Sequence, residues 1–268
     1  MNEPHPAPQT VEGWYVLHDQ WSVDWQCWRA LPLTERQQRV DELLAWLAQQ
    51  NSGDSMAYAV LGQKADLLFV HYRQTVAELH TVSTAFQRCA LSEDLAPAGS
   101  FLSVIEASLY EAEAHARGSL ARRGVTPAEA GFAAALEAQT ASARAALDER
   151  LFRRIPTQSH ICWYPMSKRR DGADNWYALS LEERRSLMRG HGQVGQQFAG
   201  QVTQVVSGAI GLDDWEWAVD LHADDPLVFK KLVTAMRYDG ASARFADFGA
   251  FVIGLRQEPE ALGRLLLA

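Results

Sequence analysis

The sequence is poor in cysteine, and its three cysteines form no pattern that carries chemistry. Cys27, Cys89 and Cys162 are too far apart to make a zinc-binding pair. An odd number of thiols, in a chain without a recognisable secretory segment, predicts that all three are reduced. The cysteine content therefore argues against a disulfide framework and against a cysteine-based zinc site.

Basic residues are also in deficit. The chain has 25 Lys and Arg against 33 Asp and Glu, which gives a formal net charge of -8. Binding to nucleic acid needs a basic surface that neutralises phosphates, so we expect no nucleic-acid partner. The one short basic run, Lys168-Arg169-Arg170, suits the anionic groups of a small ligand better than a polyanion.

Long apolar runs are missing too. The longest, such as 248–255, are far shorter than the roughly 20 residues that a membrane-spanning helix needs. Residues 1–6 lack the basic-then-apolar pattern of a signal peptide, and we expect a frayed leader there. The expectation is a soluble, cytoplasmic protein with no membrane partner. Its 268 residues, 47% of them hydrophobic, can bury a large core.

The order β-α-β-β-α-β is predicted twice along the chain from hydrophobic periodicity and turn signals. In the first half we expect strands at 13–18, 56–61, 67–72 and 101–110, with helices at 34–50 and 75–89. Trp21, Trp25 and Trp28 fall in a turn-rich stretch after the first strand. In the second half we expect strands at 161–168, 202–207, 215–221 and 248–255. Ser180 and Glu183 predict a capping box that opens one helix, and a second helix spans 226–237.

Two similar halves of this kind predict an α+β fold of tandem ferredoxin-like repeats, a dimeric α+β barrel with helices outside. The N-terminal half is expected at 1–112 and the C-terminal half, which carries the site, at 150–268. Between them lies a helical insertion or linker at 113–149, rich in Ala and Glu. We expect this insertion to cover a surface or a subunit contact and not to carry chemistry.

Polar side chains with chemical potential cluster between residues 164 and 204. In an extended strand Tyr164, Met166 and Lys168 share one face. In the following helix His191 shares an apolar stripe with Leu187, so that solvent is expected to be excluded around it. A lone amide, Gln204, interrupts the apolar face of the next strand. We interpret Tyr164, Lys168, His191 and Gln204 as walls of one pocket.

The pattern alone also allows ordinary structural roles for each of these residues. A histidine on an apolar helix face is more often a hydrogen-bonded core residue than a metal ligand. Gln204 also fits a buried amide that is hydrogen-bonded to a neighbouring group. Tyr164 alone fits a packed strand aromatic, and Lys168 a solvated strand end. Asp247 fits either a partner that orients a metal ligand or a surface acid.

Segments spread along nearly the whole chain resemble the chlorite dismutase family, and within it the coproheme decarboxylases. Each segment is moderately specific, whereas their order and spacing together are very specific. The segments are Gly13-Trp14-Tyr15-Val16-Leu17-His18-Asp19, Ala65-Asp66-Leu67-Leu68-Phe69, 164–170, Asn175-Trp176-Tyr177, His191-Gly192, Gly211-Leu212-Asp213-Asp214-Trp215-Glu216-Trp217, Asp225-Pro226-Leu227 and Ser242-Ala243-Arg244.

The resemblance implies a tandem ferredoxin-like barrel, usually assembled as a homopentamer, and it assigns roles to residues. It makes His191 the proximal ligand of haem iron and Tyr164 the catalytic radical tyrosine. Lys168 would contact the reacting propionate, and Gln204 would lie at the distal position over the iron. The other positions that the resemblance implies in coproheme binding are Tyr110, Arg150, Pro165, Met166, Ser167 and Ser242.

The function that the resemblance implies is peroxide-dependent oxidative decarboxylation of two propionates of Fe-coproporphyrin III, giving haem b. Coproheme is then both substrate and redox centre, and a ferrochelatase-type protein is a candidate donor. Chlorite-degrading members hold an arginine at the distal position, so Gln204 disfavours chlorite dismutation. Two alternatives stay open, a chlorite-degrading haem oxidoreductase and a non-catalytic haem-binding protein.

Overall fold

The protein is described by a computed structural model that covers residues 10–49, 53–108, 117–127 and 131–268. Its strands are β1 (Thr10–Val23), β2 (Gly53–Val60), β3 (Leu67–Arg73), β4 (Leu95–Ser108), β5 (His160–Lys168), β6 (Thr203–Gly208), β7 (Trp217–Ala223), β8 (Ala246–Phe248) and β9 (Val252–Gln257). Its helices are α1 (Trp25–Ala30), α2 (Leu33–Ala48), α3 (Val76–Phe86), α4 (Phe132–Leu151), α5 (Leu181–Gln196), α6 (Leu227–Met236), α7 (Gly240–Phe245) and α8 (Pro259–Leu267).

Local capping fixes where the main helices begin. Ser180 accepts the backbone N–H of Glu183, and the Glu183 carboxylate accepts the backbone N–H of Ser180. This capping box confirms the predicted start of α5. Thr75 and Glu78 form the same arrangement at the start of α3. Because each box pairs two backbone donors that lack intrahelical partners, both helices begin at defined residues.

The strands form one antiparallel sheet that closes on itself. Their order is β7-β6-β4-β1-β3-β2-β9-β5-β8, and an additional pairing of β5 with β7 joins the ends into a barrel. Within each half the order is the same, because β4-β1-β3-β2 is matched by β9-β5-β7-β6. The predicted pair of ferredoxin-like repeats, combined in one barrel with helices outside, is therefore confirmed.

The two halves meet along two short seams. In one seam β2 pairs with β9 over four residues, from Ala57 opposite Gln257 to Val60 opposite Gly254. In the other seam β4 pairs with β6 at two positions, Val104 opposite Gly208 and Ile105 opposite Ser207. Each half contributes one edge strand to each seam, so neither half has to leave a long strand edge unpaired there.

Side-chain alternation separates an interior core from outer cores. Ile161 and Trp163 of β5 face the barrel interior, where they pack with residues of both halves such as Tyr58 and Leu68. Cys162, on the opposite face, packs with β7 and α6. The N-terminal half has its own outer core beneath α2, α3 and α8. The outer face of β5 is therefore the surface on which a site of the C-terminal half is built.

The structure corrects three predictions about elements. The tryptophan-rich stretch is regular and not turn-rich, since Trp21 lies within β1, which runs to Val23, and α1 contains Trp25 and Trp28. The last predicted strand is two strands, β8 and β9, separated at 249–251. Two helices, α7 and α8, were not predicted.

Two further predictions concern positions that the structure leaves undescribed or only partly describes. The frayed leader and the domain boundary at 112/113 lie outside the described residues. Within the predicted insertion, residues 117–122 are helical and α4 begins at Phe132. Among the helices that the described ranges contain, none is long and apolar enough to cross a bilayer.

Candidate functional site

Strand register places the candidate residues of β5, β6 and β7 in rows on the outer face. Tyr164 lies opposite Val219, which lies opposite Val206. One row further along the sheet, Cys162, Leu221 and Gln204 are aligned in the same way. Directly opposed residues of an antiparallel sheet point to the same face. Tyr164 and Gln204 therefore share one surface, as the sequence predicts.

The Tyr164 ring is held in an aromatic cluster. It stacks on Phe251 with ring centroids 4.3 Å apart, and Phe248 lies 5.8 Å away. The guanidinium of Arg237 lies 3.9 Å from the centroid of Phe248, which adds a cation to this edge of the site. Only 7% of Tyr164 is exposed, and burial raises the pKa of its phenol above the ordinary value. The hydroxyl therefore keeps its hydrogen at any physiological pH.

His191 of α5 is oriented by a buried carboxylate. Its Nδ1 lies 3.0 Å from Oδ2 of Asp239, whose side chain is 3% exposed, whereas the His191 side chain is 27% exposed. A carboxylate at Nδ1 favours the tautomer with the proton on that nitrogen, which leaves Nε2 as a free acceptor. Such a histidine is prepared to bind a metal through Nε2.

Asp239 is itself fixed by the start of α7. Its Oδ1 accepts the backbone N–H groups of Ala241 and Ser242 at 2.8 and 3.0 Å. Burial raises the pKa of this carboxyl, but the hydrogen bonds from Ser242 and His191 outweigh burial and hold it below its usual value. The predicted alternative partner, Asp247, instead accepts a hydrogen bond from Arg169 at 2.9 Å. Asp239 is thus the orienting residue that the sequence did not indicate.

The predicted burial of His191 is corrected by the structure. Leu187, His191 and Val194 do form a less exposed stripe of α5, and Phe198 continues it beyond the end of the helix, but all four remain half-buried. Helix α5 packs mainly against α6 and α7. On the facing sheet Gln204 is exposed and not inward, as is Val206. The stripe and the row of Gln204 therefore both keep surface that is accessible to solvent.

Lys168 is the last residue of β5 and lies at one end of the site. Its Nζ lies 4.4 Å from the ring centroid of Trp176, which packs edge-on against Phe245 of α7. Burial lowers the pKa of Lys168 to about 8, although the negative charges of Asp239 and Glu216 oppose that shift. The chain of contacts from Lys168 through Trp176 to α7 links the lysine with the helix that holds Asp239 and Ser242.

The remaining predicted contact residues have mixed placements. Ser242 lies behind His191, with its Oγ 3.4 Å from Nδ1. Pro165 and Ser167 alternate with Tyr164, so their side chains face away from the rows. Ser167 instead accepts the backbone N–H of Glu216 at 3.2 Å. Met166 faces the site and packs in the same outer core as Tyr164.

Two predicted contact residues are not joined to the site by any described contact. Arg150 is exposed near the end of α4, whose Leu147 and Leu151 pack into the interior core. The described contacts do not join Arg150 to His191 or Tyr164. Tyr110 lies outside the described residues.

The donor set fits a flat iron tetrapyrrole. One oriented histidine with a free Nε2 would supply an axial ligand, and Val194 of α5 and Val206 of β6 leave apolar surface accessible to a flat ligand. Lys168 and Arg237 provide positive charge at two edges, where carboxylates of such a group can be paired. The sequence analysis did not identify Arg237. Its position just after an amphipathic helix that flanks the site could have indicated it.

Comparison with known proteins agrees with this fold. Residues 36–257 match the chlorite dismutase family. A novel haem-binding protein from Thermus thermophilus is 38% identical, with 99% of each chain covered and a TM-score of 0.83. A mutant chlorite dismutase from Candidatus Nitrospira defluvii is 19% identical, with 96% of this chain and 97% of the other covered and a TM-score of 0.73.

A barrel of two ferredoxin-like repeats with one oriented histidine on its outer side defines a class of haem-dependent oxidoreductases. The chain belongs to the chlorite dismutase family. The same enzyme from Candidatus Nitrospira defluvii in complex with imidazole has a TM-score of 0.71 at 19% identity, covering 96% of each chain, and shares the fold.

Proposed function

We propose that this protein is a coproheme decarboxylase that converts Fe-coproporphyrin III to haem b with hydrogen peroxide. The observation that carries the proposal is that the C-terminal half holds both a carboxylate-oriented His191 and a buried, protonated Tyr164 on the outer face of its sheet. Lys168 lies at one end of the same strand face and is cationic below about pH 8. The haem-binding relative from Thermus thermophilus supports a tetrapyrrole ligand.

His191 would hold the iron through Nε2, and Asp239 would keep that nitrogen unprotonated. When bound, coproheme is substrate and redox centre at once, and its reaction with peroxide supplies the oxidising equivalents. Tyr164 gives up its phenolic hydrogen and then takes a hydrogen atom from the β-carbon of a propionate. One propionic acid group and one hydrogen peroxide yield one vinyl group, one carbon dioxide and two water molecules, and two such rounds give haem b.

Lys168 pairs with the carboxylate of the reacting propionate and fixes the β-carbon near Tyr164. Arg237, above Phe248, is placed to pair with a second carboxylate. Both contacts are charge-assisted, which makes them stronger and more directional than neutral hydrogen bonds. Since one tyrosine serves two propionates, the half-reacted product must turn in the site or a second residue must act.

Gln204 sets the chemistry on the opposite side of the ligand. Its amide is exposed at the mouth of the site and carries no charge. An amide does not accept a proton from peroxide near neutral pH, so Gln204 positions a small molecule without acting as a general base. It also lacks the cationic fork that would hold an anionic oxyhalide, which is why we place chlorite degradation second.

We also propose how the protein assembles and how coproheme reaches it. A homopentamer follows from the family resemblance, as does coproheme delivery by a ferrochelatase-type partner in the cytoplasm. We also propose the division into an N-terminal half at 1–112, an insertion at 113–149 and a site-bearing half at 150–268. The insertion would then cover a surface near the site or between subunits.

The test is to mix purified protein with ferric coproheme, titrate hydrogen peroxide and follow the porphyrin mass. The proposal predicts two successive losses of carbon dioxide, with haem b as the end product. Tight binding of haem b without any coproheme turnover would instead identify a carrier or sensor. Rapid release of oxygen from chlorite would identify a chlorite-degrading enzyme.

A further inference from the structure

Glu216 is a buried carboxylate whose charge the proposed reaction does not yet use. Only 7% of the residue is exposed, and its Oε2 accepts the backbone N–H of Lys168 at 2.7 Å. Its own backbone N–H lies 3.1 Å from the carbonyl oxygen of Met166 and 3.2 Å from Oγ of Ser167. Three successive residues of the site strand are therefore tied to one acid.

The same carboxylate reaches the segment that follows β5. Its Oε1 lies 4.0 Å from the guanidinium of Arg170, which is largely exposed. Burial and a hydrogen bond to Glu216 both raise the pKa of the Tyr177 phenol. Tyr177 directly follows Trp176, the ring on which the Lys168 ammonium rests. Glu216 thus connects the backbone of Lys168 with the segment that supports its side chain.

We propose that Glu216 is a positioning residue for Lys168, which fixes its backbone and keeps its ammonium group charged to receive a propionate carboxylate. This inference rests on the proposed function for its catalytic meaning. The geometry supports it because a backbone N–H bonded to a buried carboxylate is held more firmly than one bonded to a neutral acceptor. A second consequence is electrostatic, since an anion near a half-buried cation favours its charged form.

The charged groups around Lys168 make this consequence measurable. Asp239, before α7, and Glu216, before β7, face the lysine, and Trp176 covers it. Asp247 of β8 is nearby in the sheet, opposite Ser167, but it is exposed and paired with Arg169. Removing the charge of Glu216 should therefore lower the pKa of Lys168 further, whereas removing that of Asp247 should not.

The charge of Lys168 can be measured directly, because the chain contains only four lysines, at 64, 168, 230 and 231. Reductive methylation with ¹³C-formaldehyde labels each amine, and the Lys168 signal is identified by its loss in Lys168→Arg. The NMR titration of this signal reports the charge of Lys168 in the absence of any tetrapyrrole. The compared proteins are the wild type, Glu216→Gln and the matched control Asp247→Asn.

We expect the Lys168 midpoint to fall by roughly half a unit or more in Glu216→Gln and to stay unchanged in Asp247→Asn. The alkaline limb of kcat/KM for coproheme should move in the same direction as the NMR midpoint. An unchanged midpoint in Glu216→Gln, or an equal shift in Asp247→Asn, overturns the inference. A fall in activity at all pH values without a shift in the midpoint also overturns it, since that indicates a purely structural role.

The experiment also covers two failures, that of Glu216→Gln to fold and that of the proposed function. If Glu216→Gln does not fold, Glu216→Asp carries the test, because it draws the charge back by one methylene group. A smaller fall of the midpoint then supports the inference, and no fall overturns it. If wild-type protein does not turn over coproheme, the proposed function fails while the NMR titration still decides whether Glu216 controls Lys168.

Discussion

Asp239 has two roles, as the N-terminal cap of α7 and as the partner of His191. One carboxylate oxygen accepts two backbone N–H groups of α7, and the other faces Nδ1 of His191. The hydrogen bonds to α7 fix the rotamer of Asp239, so His191 has a rigid partner. Orientation of this kind raises the basicity of the histidine and its strength as a metal ligand.

Asp239→Asn tests this orientation. The Asn oxygen can keep both cap hydrogen bonds, but its NH₂ group then faces Nδ1 and drives the ring proton to Nε2. We expect haem affinity to fall by roughly 10- to 100-fold, the range observed when such partners are removed. The measurement is a spectrophotometric titration with haem b.

Asp247→Asn serves as the control, because Asp247 is exposed and bonded to Arg169. It should bind haem as the wild type does. Equal affinities of Asp239→Asn and wild type would show that the carboxylate does not act on the ligand.

At the residue scale, the sequence could predict a placement where a local rule decides it. Tyr164 and Met166 lie on one face of β5 because strand alternation is such a rule, whereas the shared face of Tyr164 and Gln204 depends on pairing through β7. Asp239 could not be predicted from periodicity, since it lies 48 residues from His191 in sequence. The signal was an acid directly before Gly240, three residues before the predicted site residue Ser242, which is the pattern of a helix cap.

At the scale of elements, the break between β8 and β9 determines how Tyr164 is packed. The break at 249–251 turns Phe248 and Phe251 onto the Tyr164 ring. The Gly249 backbone N–H is bonded to the carbonyl oxygen of Pro165 at 2.8 Å. A continuous strand was predicted because the segment is apolar throughout, and a run of this kind carries no signal for the break except Gly249 itself.

Gly249→Ala tests the close approach. A Cβ at this position would lie 2.7 Å from Cγ of Pro165 and 3.1 Å from Cζ2 of Trp215. Both neighbours belong to rigid rings, so we expect a loss of roughly 1–3 kcal/mol in the free energy of unfolding. Urea denaturation measures it.

The matched control for this glycine is Gly118→Ala. Its Cβ would meet only the end of the flexible Arg122 side chain, at 3.6 Å. We expect no loss of stability in the control. If both variants unfold at the same urea concentration as wild type, the tight contact at Gly249 is not real.

At the scale of the whole molecule, the barrel interior joins the two halves through polar as well as apolar contacts. His18 of β1 and Asp220 of β7 form a buried pair at 2.8 Å, and the His18 ring stacks on Trp163 at 5.0 Å. The repeated order of elements predicted two similar halves. Barrel closure rests on seams between β2 and β9 and between β4 and β6, which are non-local pairings that no local pattern specifies.

Asp220→Ala should therefore be strongly destabilising. Removing Asp220 leaves a nitrogen of the buried His18 ring without its hydrogen-bond partner, at a cost of roughly 1–3 kcal/mol. Asp174→Ala is the control, because its pair with Arg244 is about half exposed and should contribute roughly 0–1 kcal/mol. Urea denaturation at one fixed protein concentration measures both, since assembly would make stability depend on concentration. Equal losses in the two variants would contradict a special role for the interior pair.

The central claim is that Tyr164 removes hydrogen from propionates of a tetrapyrrole held by His191. The most direct measurement is the porphyrin mass after stoichiometric peroxide, compared between wild type and Tyr164→Phe. Phe keeps the stacking on Phe251 and removes only the hydroxyl, so the variant should fold and bind coproheme with near-normal affinity. We predict full conversion to haem b by the wild type and a collapse of decarboxylation in Tyr164→Phe, with peroxide consumed in porphyrin bleaching. Full conversion to haem b by Tyr164→Phe would contradict the account.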